Sequence, residues 1–264
     1  MPKAIEELLQ RRTDLSTFLV HLTRAVQDGP TALDNLKSML TNCVIEARTP
    51  FGQARFHDPH LFLSASQKVV CFTETPLEHA WMMIEDIAQD RQVKFEGYGI
   101  AVTKTTARKM GANPVWYSDF SRWGEPWPSA AVDKLIAQAV ERAEIKAQAG
   151  STYDEALSEE PIFQLTPYFE QMGPMQGGLR KEFWWEREWR KVGNFNMNLP
   201  SRIVAVLAPE GQHAHLKEYL QQEAPVWNGR PLLDPTWGLE RMVVALARIR
   251  VDDMGPFPKL GPGY

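Results

Sequence analysis

Apolar and polar positions along the chain change period several times, and each change marks an element. Residues 3–12 carry apolar positions at helical spacing and predict a short amphipathic helix. The compact run Phe18-Leu19-Val20-His21-Leu22-Thr23 predicts a strand. A helix through about residue 39 follows, with Leu33, Leu36 and Leu40 on one face and Thr31 and Asp34 as N-cap candidates. Residues 44–47 read as a short strand. Residues 49–66, rich in Pro, Gly, His and Phe without a clear period, read as a loop. Strands are predicted at 68–73, 97–103 and 114–117. Between them lie a helix opened by Pro76 and running to about 90, and a shorter one at 105–110 closed by Gly111.

The clearest helix spans 130–149, where Val132, Leu135, Ile136, Ala139, Val140 and Ala143 recur at helical spacing and Gly150 ends it. Residues 150–180 mix Gly, Pro, Met and acidic side chains and predict a mobile insert. A strand over 182–190, a Gly193-Asn194 turn, an apolar strand over 202–208, helices near 213–222 and 239–250, and an extended C-terminal tail complete the pattern. There is no internal repeat and no regular βαβ period. The expected fold class is therefore α+β, as one domain over residues 1–264, rather than a doubly wound sheet.

Composition narrows the setting. A chain of 264 residues buries roughly 70–75% of its extended-chain surface and folds without staples. Its 44% hydrophobic and 23% charged residues argue against global disorder. The run from Ile203 to Ala208 is far too short to cross a bilayer, and the charged N-terminus has no apolar signal core, so a cytoplasmic protein without membrane contact is expected. Cys43 and Cys71 form neither a disulfide framework nor a zinc cage and read as buried thiols of a reducing compartment. A net charge of -4 excludes coating of nucleic acid by bulk charge but leaves room for a local basic groove. Nine tryptophans supply core anchors and candidate stacking platforms.

Three segments carry candidate chemistry. In Phe183-Trp184-Trp185-Glu186-Arg187-Glu188-Trp189-Arg190, strand alternation puts Trp184, Glu186, Glu188 and Arg190 on one face, with the two carboxylates roughly 7 Å apart. Such a pair suits a sugar centre, one carboxylate stabilising a cationic transition state while the other orients a nucleophile. The same pattern suits a solvated face of Glu–Arg pairs. Alternation also turns Arg190, rather than Arg187, toward a phosphate beside the glutamates. His21 and Thr23 share a strand face and can hydrogen-bond a ribose or an amide; a core histidine is the other reading. Thr73, with Glu74 and Thr75, sits at a strand-to-helix junction where it serves a ligand or caps the helix, and Tyr98 stands between glycines that leave room for a ligand ring. There is no Gly-x-Gly-x-x-Gly, Walker loop or Gly-x-Ser-x-Gly elbow. His57-x-x-His60 and His213-x-His215 are too weak to name a metal site, and none is expected.

Five motifs occur in order: Phe18-Leu19-Val20-His21-Leu22-Thr23-Arg24, Val70-Cys71-Phe72-Thr73-Glu74-Thr75-Pro76-Leu77, Tyr98-Gly99-Ile100, Gly111-Ala112-Asn113-Pro114-Val115-Trp116-Tyr117 and Trp185-Glu186-Arg187-Glu188-Trp189-Arg190. Together, over about residues 18–208, they resemble the AbiGi family of bacterial abortive phage resistance proteins, a label that implies antiviral defence and is sometimes given to an antitoxin component. More distantly, the order of strands resembles DarT-type DNA ADP-ribosyltransferases. That resemblance implies an ADP-ribosyltransferase-like mixed sheet with flanking helices. It further implies a catalytic set of His21 with Glu186 or Glu188, a middle motif filled by Thr73 or Tyr98, NAD as the group donor and DNA as a partner. Three functions follow as expectations: ADP-ribosyl transfer from NAD to DNA; excision of a base from phage DNA by a glycosylase needing no cofactor; and a non-catalytic antitoxin that binds a partner protein.

Overall fold

The computed structural model describes residues 14–57, 65–85, 94–119, 127–174, 180–181, 184–199 and 202–249. The helix expected at 3–12 and the C-terminal tail lie outside them. The chain opens with β1 (Phe18–Leu22), α1 (Ala32–Asn42), β2 (Val44–Ile45), β3 (Thr49–Pro50), β4 (Lys68–Phe72), α2 (Ala80–Ile84), β5 (Gly99–Thr103) and α3 (Lys104–Lys109). It continues with β6 (Asn113–Pro114), β7 (Trp116–Asp119), α4 (Trp127–Gln148), α5 (Tyr153–Ser158), α6 (Ile162–Leu165), β8 (Phe169–Pro174) and β9 (Arg180–Lys181). It closes with β10 (Trp189–Val192), β11 (Phe195–Asn196), β12 (Ala205–Leu207), α7 (His213–Gln222), β13 (Leu232–Leu233) and α8 (Leu239–Ala247). The mixture of helices and strands is α+β.

Local sequence explains the better-formed elements. At the start of α1 the Thr31 hydroxyl accepts the Asp34 N–H at 3.1 Å, and the Asp34 carboxylate accepts the Thr31 N–H at 3.0 Å, a reciprocal capping box. Leu36 and Leu40 are buried on its inner face. Along α4, Val132, Ile136, Ala139 and Ala143 face Leu157 and Phe163, while Leu135, expected on that face, is exposed. Residues 150–174, in the stretch expected as an insert, carry α5, α6, a 3-10 turn at Thr166–Tyr168 and β8.

Two four-stranded sheets form the centre. One runs β1-β5-β12-β13, antiparallel except for β12 beside β13; the other runs β3-β4-β10-β6 and is antiparallel throughout. One face of the first sheet packs Leu19, Ile100 and Val206 with Leu36, Phe195 and Trp227, and the other packs Val20, Leu22, Ala101 and Leu207 with Met83 and Met242. Among the described residues the sheets meet at one antiparallel bridge, in which Val20 and Thr73 exchange backbone hydrogen bonds of 2.9 and 2.8 Å.

Two sequence expectations are corrected around that bridge. The strand expected over 182–190 is broken: Trp184–Glu186 form a 3-10 turn, Arg187 takes φ 48°, and β10 starts at Trp189. Trp189 pairs with Phe72, and beyond it Thr73 has turned its N–H and C=O to Val20. The incoming chain has no ladder to join there, so alternation does not run through Glu186 and Glu188. The strand expected at 114–117 is likewise split, with β6 on β10 and β7 parallel to β8.

Gly99 lets β5 reach β1. A Cβ there would lie 2.4 Å from the His21 carbonyl oxygen, which is backbone and cannot swing aside. Gly99→Ala is therefore expected to lower stability by about 1–3 kcal/mol, read from the denaturant midpoint at unchanged m-value. An unchanged midpoint would show that the two strands can part without loss.

Candidate functional site

Beside the Val20–Thr73 bridge a cleft of about 330 Å³ opens between the two sheets. His21, Thr23, Thr73, Glu186, Glu188 and Arg190 all line it, from three separate parts of the chain. Tyr98, the remaining candidate, is not among the lining residues. Its side chain packs on the core, and its carbonyl accepts the Thr23 N–H at 2.8 Å.

His21 stands on the edge of β1 where the sheets part. Its Nδ1 is 2.8 Å from the Cys71 carbonyl oxygen, and its ring meets Phe72 edge-on. A carbonyl only accepts, so Nδ1 carries the proton and Nε2 keeps its lone pair. Burial lowers the His21 pKa below the usual imidazole value, against the smaller opposing effect of the Cys71 hydrogen bond. The unfolded chain takes up this proton near pH ~6.5 and the folded chain only at lower pH, so stability falls as the pH drops below that point. Denaturant melts at about pH 7.5 and about pH 5.5, on either side of it, should show His21→Asn losing less stability over that interval than the parent protein; equal losses would contradict this assignment.

Thr73 lines the cleft and also positions its neighbours. Its hydroxyl donates to the Glu186 carbonyl at 2.9 Å and accepts the Thr75 N–H at 3.1 Å, while the Glu74 N–H also reaches the Glu186 carbonyl, at 3.1 Å. These bonds fix the 3-10 turn that carries Glu186 into the cleft. Thr23 donates to the Ala32 carbonyl at 2.9 Å and ties the end of β1 to the start of α1.

Glu188 is gripped from two sides. Arg190 Nε donates to its Oε1 at 2.8 Å, Arg190 Nη2 to its Oε2 at 3.1 Å, and the Tyr117 hydroxyl also donates to Oε2. Burial, and next the Glu188 charge, push the Tyr117 pKa far above the phenol range, so the hydroxyl stays a donor. The same two causes raise the Cys71 thiol well above its usual value and keep it protonated. A thiolate nucleophile does not fit there.

Arg190 corrects the reading of it as a phosphate ligand. It is 1% exposed, and its guanidinium also donates to the Pro167 carbonyl at 2.7 Å and to Glu170 at 2.8 Å, over the Phe51 ring. Burial opposes its charge, but Glu188 and Glu170 outweigh burial and hold the pKa well above normal. Two further basic side chains are held by carboxylates: Arg187 lies 3.5 Å from Glu74 and 3.6 Å from Asp14, and Lys104 lies 2.6 Å from Glu74. Sequence reasoning missed Tyr117 and Glu170 as partners of the site. Tyr117 stood at the end of a quoted motif, whereas Glu170 carried no signal at all.

Among the described residues no group of three or more His, Cys, Asp or Glu is placed to hold a metal, and no helix is long and apolar enough to cross a membrane. His57 is taken by Asp133 at 2.6 Å and His213 by the Ala208 carbonyl at 2.8 Å; His60 lies outside the described residues.

Among known proteins, the family model described as "Putative abortive phage resistance protein AbiGi, antitoxin" matches residues 37–219. No curated protein and no solved structure matches the chain. The family match starts after β1, so His21 lies upstream of it, and it ends within α7, later than the motifs alone indicated. It contains β4, the cleft residues Glu186, Glu188 and Arg190, and Tyr117 and Glu170. Since it spans well over half of the sequence, the chain belongs to the AbiGi family of abortive phage resistance proteins.

Proposed function

We propose that the cleft breaks an N-glycosidic bond of a nucleotide, and that in abortive phage resistance it transfers ADP-ribose from NAD to a DNA base on an ADP-ribosyltransferase-like fold. The observation that carries this reading is the convergence of His21, Glu186 and Glu188 on one cleft with apolar walls. Glu188, immobilised by Tyr117 and Arg190, presents a fixed carboxylate to the positive charge that develops on the sugar as the base leaves. Preorganisation matters because a carboxylate that need not reorient acts at full strength in a dry site. In the transfer, the bond from the ribose C1′ to the nicotinamide nitrogen breaks and its electron pair leaves with nicotinamide. A nitrogen of the DNA base bonds to C1′, and its proton passes to a base, for which the free lone pair of His21 Nε2 is suited.

The size of the cleft supports a nucleoside-sized occupant, at the lower end of ligand sites of roughly 300–1,000 Å³. NAD enters as a substrate, its nicotinamide riboside half inside and the rest beyond the mouth. The test is incubation of the purified protein with single-stranded DNA, with and without NAD, followed by mass spectrometry of the DNA. An NAD-dependent gain of one ADP-ribosyl group supports the proposal. Abasic sites formed without NAD would assign the same carboxylates to a glycosylase that uses water. No change in the DNA, with tight binding of a neighbouring gene product, would assign the chain to the non-catalytic antitoxin class of its family's description.

A further inference from the structure

We infer that this cleft takes a phosphorylated nucleoside, with base and sugar beside the carboxylates and the phosphate at the mouth between Arg24 and Arg48; the inference rests on the proposed glycosidic reading and names its substrate class. Among the described residues three arginines line the cleft: Arg24, Arg48 and Arg190. Arg190 is enclosed and spent on Glu188, Glu170 and Pro167. Arg24 is exposed, directly after Thr23, and among the described residues its guanidinium has no hydrogen-bond or ion-pair partner. Arg48 holds Glu46 at 2.9 Å, but both side chains are half exposed or more, and such a pair is weak enough to yield to a phosphate.

Asn35 links the backbone of Arg24 to the side chain of Arg48. Its Nδ2 donates to the Arg24 carbonyl at 2.9 Å, and its Oδ1 accepts from Arg48 Nη1 at 3.5 Å. The cleft thus runs from buried Glu186 and Glu188 to exposed Arg24 and Arg48, the latter beside exposed Glu46, past apolar walls that include Met39, Ile45, Phe72 and Phe95. A bare phosphate is repelled by the carboxylates if it goes deep, and a bare nucleoside leaves Arg24 unused and Arg48 on Glu46 and Asn35. A ligand with an anionic end and a neutral or cationic ring at the other satisfies both. Guanidinium is also the group best matched to phosphate oxygens.

Two sources supply this chemistry, a free nicotinamide nucleotide and a DNA strand, and calorimetric titration of the full chain separates them. One arm compares nicotinamide mononucleotide with nicotinamide riboside; the other follows a short single-stranded DNA across salt concentrations. Each is repeated with Arg24→Ala/Arg48→Ala, whose changes are at exposed side chains. If a free nucleotide is the ligand, the mononucleotide binds about tenfold tighter than the riboside, and the double variant erases that margin while leaving riboside binding unchanged. If DNA is the ligand, the variant flattens the slope of log affinity against log salt by about 0.7 for each phosphate that the arginines no longer neutralise. A margin or slope that survives the double variant overturns the inference, as does binding in neither arm. An arginine-dependent margin or slope with no turnover of NAD or DNA keeps the inference and removes the glycosidic reading; intact turnover with no arginine dependence does the reverse.

Discussion

Replacing Arg190 by Met is expected to cost about 3–5 kcal/mol, the usual loss when one partner of a buried ion pair is removed. Arg190 is fully enclosed and its guanidinium faces two carboxylates, Glu188 and Glu170, the second of which is itself completely buried. Met fills much of the volume, so the loss would be electrostatic rather than a cavity effect. Domains of this kind hold only about 5–15 kcal/mol in all, so the variant should melt well below the parent and a fraction should aggregate on expression. The triple variant Arg190→Met/Glu188→Gln/Glu170→Gln should recover a large part of the loss, because neutral amides tolerate the site that unpaired carboxylates do not. Denaturant titration of the three proteins decides it. A single variant within about 1 kcal/mol of the parent would mean that water or neighbouring side chains already neutralise the carboxylates.

The same cluster shows where the sequence was legible and where it was not. Period and capping located β1, β4, β5, α1 and α4, because in those segments the local preference and the buried face agree. They also singled out His21, Glu186 and Glu188, which the fold brings to one cleft. The route by which the glutamates arrive was misread. Alternation on an unbroken strand was the expectation, whereas a 3-10 turn and the positive φ of Arg187 place them, and those depend on Thr73 having been claimed by β1. No local pattern announces that a distant strand will take a backbone partner. The reading of Arg190 failed for a related reason. A basic residue on a polar face counts as exposed until the fold supplies Glu170 and Pro167 from 20 and 23 residues away. Tyr98 is not at the cleft because the space left by Gly99 is taken up by β1 and that beside Gly97 by Pro209 and Pro235.

Glu188→Gln is expected to reduce the proposed glycosidic activity by about 10²–10³ while the protein stays folded. Gln keeps the length and shape of the side chain, and with its carbonyl oxygen in the place of Oε2 it still accepts from the Tyr117 hydroxyl and from Arg190 Nη2, while its amide NH2 takes the place of Oε1 and forfeits the bond from Arg190 Nε. What it lacks is the negative charge that a cationic sugar requires, and loss of one preorganised electrostatic partner commonly costs about 3–4 kcal/mol in the transition state. Some stability should also be lost, since Arg190 then faces a neutral amide, but Glu170 remains as its anionic partner. The fall in rate should therefore greatly exceed any shift in the denaturant midpoint. Glu186→Gln is the matched comparison, because Glu186 reaches the cleft from the neighbouring 3-10 turn, whereas Glu188 is the carboxylate that grips Arg190. A rate loss confined to Glu186→Gln would move the central role to that residue and leave Glu188 as part of the Arg190 cluster. Full activity in both variants, at equal expression in a phage plaque assay and in the DNA mass assay, would remove carboxylate stabilisation of a sugar cation as the mechanism and favour binding of a partner protein.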